Sequence, residues 1–307
     1  MKWLKWAFGE AACRAVSMSM QKKIGVEAGG FQLVVLSTFV IGVVQSAVAG
    51  AILLTKGIPF FPSSRLVWGS ILFGIGAFVN TVIAFMAYVY GANMAVYTFI
   101  TLLAIVPGAF IDWAFFGRRL VARQGFGIAL AVFAGWLVLK TPTLSELAEL
   151  PLWAWLGLLN ALGLSINQGI TFWVRDVNPW VKNFWGGTTT FLCCVGTLLI
   201  FGSGVTQMAT APAFLPVLYW SMAIALVVIG IWTYNLIAYR DGAAIPIKNI
   251  VVNGFFLTLI VVSGYVFFRD TIIFVQVVGM LAYLGAFAIT NNEAWGFLTQ
   301  WKSARPA

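Results

Sequence analysis

The sequence predicts an all-α polytopic membrane protein: ten transmembrane helices arranged as two inverted-topology repeats of five. Three observations carry this expectation. Of the 307 residues, 61% are hydrophobic and only 9% are charged, whereas a soluble domain carries about 25% charged residues. Most of the chain therefore belongs in lipid. Next, one apolar stretch is written twice. Residues 115–139 read FFGRRLVARQGFGIALAVFAGWLVL and residues 267–290 read FFRDTIIFVQVVGMLAYLGAFAIT. Phe115, Phe116, Gln124 and Gly127 recur as Phe267, Phe268, Gln276 and Gly279, each shifted by 152 residues. Upstream, AYVYGA from Ala87 returns as AYRDGA from Ala238, shifted by 151. Two echoes in one order at nearly one offset divide the chain into related halves, 1–150 and 151–307.

The third observation is a charge swap between the copies. FFGRRLVAR carries three arginines where FFRDTIIFV carries one beside an aspartate. In the other echo, Val89-Tyr90 of the first copy becomes Arg240-Asp241. Cytoplasmic loops retain positive charge, so equivalent loops face opposite sides of the membrane in the two halves. That is an inverted-topology repeat, the architecture of many secondary transporters.

The apolar runs place the ten spans at about 3–23, 31–54, 66–90, 92–116 and 124–140, then 152–174, 183–202, 214–238, 243–267 and 272–290. Spans of roughly 20 residues then fill about two thirds of the chain. Short connections favour antiparallel neighbours; the longer ones are 141–151, which joins the halves, 203–213, and the connection holding Pro59 and Pro62. With the N-terminus inside, twelve basic residues fall at cytoplasmic ends, Lys182 among them. Four fall at outer ends: Lys22, Lys23, Lys140 and Arg269. Both termini are accordingly expected in the cytoplasm, and the chain in the cytoplasmic (inner) membrane. Tryptophans near span ends, such as Trp3, Trp6, Trp153 and Trp301, read as interfacial anchors.

Composition also excludes function classes. The net charge of +9 comes from singly scattered residues, which suits topology control and not a nucleic-acid patch. There is no histidine, so His-dependent metal sites and acid–base chemistry are out. Cys13, Cys193 and Cys194 have neither metal nor disulfide spacing. No Walker motif appears, and the spans hold no paired carboxylates. Neither an enzyme nor a cofactor is expected. Glu10 and Arg14 interrupt the first apolar segment, which argues against a cleavable signal peptide.

Several short motifs resemble one family. They are the small-residue turn after the third helix of each half (Gly91-Ala92, Gly242-Ala243) and the long fourth helix with Pro107. The aromatic-to-charged end of that helix follows, with Gln and Gly opening the fifth (Gln124, Gly127; Gln276, Gly279). The pattern resembles the drug/metabolite transporter superfamily, in particular its EamA-type ten-helix members, over nearly the whole chain. Two positions depart from it: Arg118 stands where family members often carry glutamate, although its counterpart Asp270 fits, and the ninth span has no proline matching Pro107. The resemblance implies alternating access around a central cavity.

Charges inside hydrocarbon cost roughly 2.5–3.5 kcal/mol on insertion scales, so each requires a reason. Glu10 and Arg14, at i,i+4, share a helix face and can pair; the alternative is a substrate or proton site, with Glu10 the one midplane carboxylate suited to carrying a proton. Lys248, a turn into the ninth span, either snorkels to the cytoplasmic interface or coordinates an anion. Asp112 reads as a partner for an inner-end arginine. Asn80, Tyr97, Thr101, Asn160, Asn167, Gln168, Asn235 and Asn253 lie within spans, each alone suited to a helix–helix hydrogen bond. Collectively they suit a polar cavity. The candidate substrate-binding set is Glu10, Arg14, Asn80, Tyr97, Gln168, Asn235, Lys248 and Asn253, with Arg14 and Lys248 meeting an anionic group. The expected function is secondary active transport of a small polar organic solute. The alternative is a flippase for a lipid-linked substrate, because related folds translocate polyprenyl-linked sugars. The fifth and tenth spans lack interior charges, which suits a peripheral, homodimer-contact role against the lipid bilayer.

Overall fold

A computed structural model describes residues 2–117, 121–138, 150–201, 211–243, 245–269, 271 and 273–290. Every regular element among them is a helix: α1 (Leu4–Ala28), α2 (Phe31–Thr55), α3 (Ser64–Val89), α4 (Met94–Leu102), α5 (Ile105–Phe116), α6 (Ala122–Val138), α7 (Leu152–Trp173), α8 (Pro179–Phe201), α9 (Phe214–Arg240), α10 (Ile245–Phe268) and α11 (Phe274–Thr290). Six helical stretches, Phe31–Thr55, Ser64–Val89, Val96–Phe116, Pro179–Phe201, Phe214–Arg240 and Val251–Phe268, are long and apolar enough to cross a membrane. Large apolar side chains such as Leu199, Phe274, Phe115 and Phe267 point outward, as a lipid-facing surface requires. The architecture is that of an all-α membrane protein. The connections at 139–149 and 202–210, and Arg118 and Asp270, lie outside the described residues.

Helix limits follow local chemistry. The first helix runs to Ala28, five residues past the expected end at 23, and stops at Gly29, whose φ of 63° needs a residue without Cβ. Lys22 and Lys23 are thereby carried inside α1; Lys22 lies over the Phe268 ring at 4.6 Å and Lys23 pairs with Glu27 at 3.7 Å. The expected fourth span is broken into α4 and α5. Pro107 has no N–H to give the Leu103 carbonyl, and the turn tightens so that Val106 N–H donates to it at 3.0 Å. This frees the Leu102 carbonyl, which accepts from the Tyr283 hydroxyl at 3.4 Å. In lipid an irregular backbone is tolerated only with such partners.

The echoed segments have echoed structures. Gly91 (φ 80°) and Gly242 (φ 99°) end α3 and α9 in the left-handed region. In each turn the glycine N–H donates to a carbonyl three residues back, at 3.0 and 3.1 Å, and the following alanine donates five residues back, at the same distances. This is the paired hydrogen bonding of a Schellman motif. Gln124 Oε1 accepts from Val121 N–H at 3.0 Å, and Gln276 Oε1 from Ile273 N–H at 3.1 Å, so each glutamine caps the first turn of its helix. The two Schellman turns sit at opposite ends of α1: Gly25 packs on Tyr88, and Trp6 Nε1 donates to Asp241 at 3.0 Å.

The helices pack most extensively as α2 on α8, α6 on α11, α1 on α9 and α3 on α7. Gly42 and Gly187 let α2 and α8 touch, since a Cβ on either would stand 2.9 Å from the other's carbonyl oxygen. The bundle encloses one large core cluster, including Tyr88, Tyr97, Phe99 and Tyr283, and a polar cavity beside it.

Candidate functional site

The cavity lies between α1, α3, α7, α9 and α10, with the α4–α5 break as part of its wall through Thr101, Leu102 and Ala104. Its volume is about 170 Å³, room for roughly five or six waters at about 30 Å³ each or for a small solute.

One wall is organised by Glu10, whose side chain has 0% exposure. Its Oε1 accepts from Arg14 Nη2 at 2.6 Å, Arg14 Nε at 2.9 Å and Asn235 Nδ2 at 2.9 Å. Its Oε2 accepts from Lys248 Nζ at 3.0 Å. One carboxylate thus serves two cations and an amide from α1, α9 and α10. The i,i+4 pair expected between Glu10 and Arg14 forms, and it gains a third charge. Lys248 does not snorkel. Its side chain is also 0% exposed, and Nζ lies 4.2 Å from the centre of the Tyr239 ring. The carboxylate and the ring face repay the desolvation that an interfacial lysine avoids.

Only part of this cluster reaches the cavity. Arg14, with 18% side-chain exposure, and Asn235 line it, while Glu10 and Lys248 stand behind them. A carboxylate only accepts, so Asn235 Nδ2 is committed to Glu10 and its Oδ1 is left as an acceptor without a partner.

The opposite wall is the α3–α7 contact. Asn80 of α3 lies over Gly163 of α7, and Asn167 of α7 lies over Gly76 of α3; a Cβ at either glycine would overlap the facing amide oxygen. The segments are GAFVN (76–80) and GLSIN (163–167), the same glycine–asparagine spacing twice. Four residues along a helix return to the same face, so each chain presents a notch and an amide in register. The repeated glycine–asparagine spacing is the sequence signal for this pairing.

Asn80, Gln168 and Asn253 line the cavity, as do Asn160, Asn167 and Thr101. Tyr97 is placed differently: it is fully buried, meets Tyr88 edge to face at 5.2 Å, and accepts from Asn160 Nδ2 at 2.8 Å. It positions a lining residue and does not itself line the cavity. Asp112 is buried in α5, where its main-chain carbonyl accepts the Gly117 N–H; the inner-end Arg118 and Arg119 lie outside the described residues.

Five side-chain atoms of lining residues are buried without a hydrogen-bond partner: Asn80 Nδ2, Asn160 Oδ1, Asn167 Oδ1, Gln168 Oε1 and Asn235 Oδ1. Left dry, each costs about 1–3 kcal/mol. Such a cluster around a cavity marks a place for polar groups from elsewhere.

Lys182 stands beside the lining residues Thr171 and Phe73, outside the expected site set. It was assigned to a cytoplasmic end just before the seventh span. Helix α8 instead starts at Pro179 and carries Lys182 into its first turn, fully buried. Its Nζ donates to Thr171 Oγ1 at 3.0 Å and lies 3.8 Å from the centre of the Phe73 ring. Among the described residues no group of three His, Cys, Asp or Glu side chains could hold a metal ion.

No protein-family model matches the chain, and no curated protein matches it. Its fold has known counterparts. A solved crystal structure superposes with a TM-score of 0.63 at 16% sequence identity, covering 95% of this chain and 98% of that chain. The likeness is one of fold along the full length.

Proposed function

We propose that the chain is a secondary carrier of the drug/metabolite transporter type, EamA-like, which moves a small polar organic solute across the cytoplasmic membrane by alternating access. The observation that carries this reading is the set of five unpartnered amide atoms around one cavity, drawn from helices of both halves. A purely structural bundle has no reason to leave them so.

Ten spans follow if α4 and α5 are one span broken at Pro107. The inverted repeat is supported by the matching Schellman turns at opposite ends of α1 and by the paired glutamine caps. Helix pairing supports it too. Adding five to each span number, cyclically, turns the α1–α9 contact (spans 1 and 8) into the α7–α3 contact (spans 6 and 3). The α2–α8 and α6–α11 contacts map onto themselves. The halves can then rock about a site between them. Cytoplasmic termini rest on the twelve-to-four distribution of basic residues. The exposed apolar faces of α6 and α11, with Phe126, Phe133 and Leu281, are where a second copy would pack.

The test is counterflow in proteoliposomes preloaded with amino acids, sugars or organic acids. Saturable exchange of one class is expected, with loss in Gln168→Ala and in Asn80→Ala. Folded protein that exchanges none of them, while moving a lipid-linked sugar between leaflets, would replace this reading with the flippase.

A further inference from the structure

Three cations stand in or behind the cavity wall, and two of them share Glu10. Arg14 and Lys248 both bond that carboxylate. Lys182 does not. Among the described residues no carboxylate lies within ion-pair distance of its Nζ, whose neighbours are one hydroxyl and one aromatic ring. The hydroxyl is itself committed, because Thr171 Oγ1 donates to the Asn167 carbonyl at 2.8 Å and so meets Lys182 as an acceptor. An ammonium has three protons to place; here one goes to a neutral oxygen and one faces a ring.

The two groups that hold Nζ are cavity-lining residues. Phe73 and Thr171 both face the cavity, and Phe73 meets Trp232, also a lining residue, edge to face at 4.5 Å. Nζ is therefore one side-chain layer from the cavity. The layer consists of a ring and a hydroxyl.

We propose that Lys182 is the anion-recognising group of this cavity: a carboxylate or phosphate of the solute reaches Nζ past Phe73 and Thr171, while Arg14 and Lys248 remain committed to Glu10. This rests on the carrier reading above and names its substrate class. The carboxylate wall and the α3–α7 amides then receive the uncharged polar part of the solute, and Lys182 receives its charge.

The experiment is thermal stabilisation of the full-length protein in detergent by three probes: succinate, glycerol 3-phosphate and the neutral succinamide. Ligand binding raises stability in proportion to the logarithm of ligand excess over Kd. At least one anion is expected to raise the melting temperature of the parent and of Lys182→Arg. In Lys182→Met the anion's affinity should fall about ten- to a hundredfold, the range for loss of a charged hydrogen bond. Which anion shifts the parent separates a carboxylate solute from a phosphorylated one. Thr171→Val, which removes the oxygen that holds Nζ, provides a second variant if Lys182→Met does not fold, and should weaken the same anion. An undiminished anion shift in Lys182→Met, or in Thr171→Val where only that variant folds, would return the role to Arg14 and overturn the inference with the carrier reading intact. Stabilisation by succinamide alone would also overturn it and leave a neutral-solute carrier. No shift with any probe overturns the inference, and the counterflow assay then decides the carrier reading separately.

Discussion

Lys248 and Lys182 are both fully buried lysines near the first turn of a helix, α10 and α8. Each lies over an aromatic ring, Tyr239 at 4.2 Å and Phe73 at 3.8 Å. They differ in the remaining partner. Lys248 meets a carboxylate that also holds Arg14 and Asn235, whereas Lys182 meets the hydroxyl of Thr171. The comparison teaches that burial alone does not distinguish a charge held by a counter-charge from one held by neutral groups. A paired buried ion is strongly missed when its partner is removed, because the survivor is stranded; an ion held by neutral groups leaves nothing stranded when it goes.

The largest effect expected from this contrast is at Glu10. Glu10→Ala strands Arg14 and Lys248 together and should destabilise the protein by about 3–5 kcal/mol. Adding Lys248→Met should recover part of that loss, because one stranded charge is gone. Chemical unfolding of the single and double variants measures both, and strictly additive losses would contradict the shared-carboxylate geometry.

A smaller effect of opposite sign belongs to Lys182. Replacing it with an apolar residue of similar length, Lys182→Met, should leave stability unchanged or raise it by about 1–4 kcal/mol. A drop of that size in the ligand-free melting curve would place Lys182 with the structural charges, beside Lys248.

The smallest effect concerns the two halves. Gln124→Ala and Gln276→Ala each remove one backbone cap of the same geometry. Each cap should be worth about 0.5–2 kcal/mol, with the larger loss at Gln276, which is the more buried of the two. A larger loss at Gln124 in unfolding experiments would contradict that ranking.

Much of this was legible before the structure. The expected helix limits fall within a few residues of those observed, and the i,i+4 pairing of Glu10 with Arg14 needed only helix geometry. Lys182 was missed because the seventh span was begun at 183, where the apolar run starts. A better signal was the Asn178-Pro179 pair. Proline suits the first helical position, and Asn178 Oδ1 accepts the Trp180 N–H at 2.9 Å. Starting there puts Lys182 inside the helix, on the stripe it shares with Gly186 and Thr190. For Lys248 the sequence left two readings, snorkelling, which the length of a lysine side chain permits, and coordination of an anion. Nothing near it in the chain announced a carboxylate.

That difference has one physical cause. In lipid each helix must satisfy its own backbone, so the spans, their caps at Gln124 and Gln276, and their glycine stops at Gly91 and Gly242 are local matters. The sequence by itself determined them. Glu10 and Lys248 are 238 residues apart, and Lys182 meets Phe73 on another helix; no periodicity relates such positions. Which charge is paired, which is left to neutral neighbours, and which amides face one cavity depended on how the helices pack against one another, and only the tertiary structure decided it.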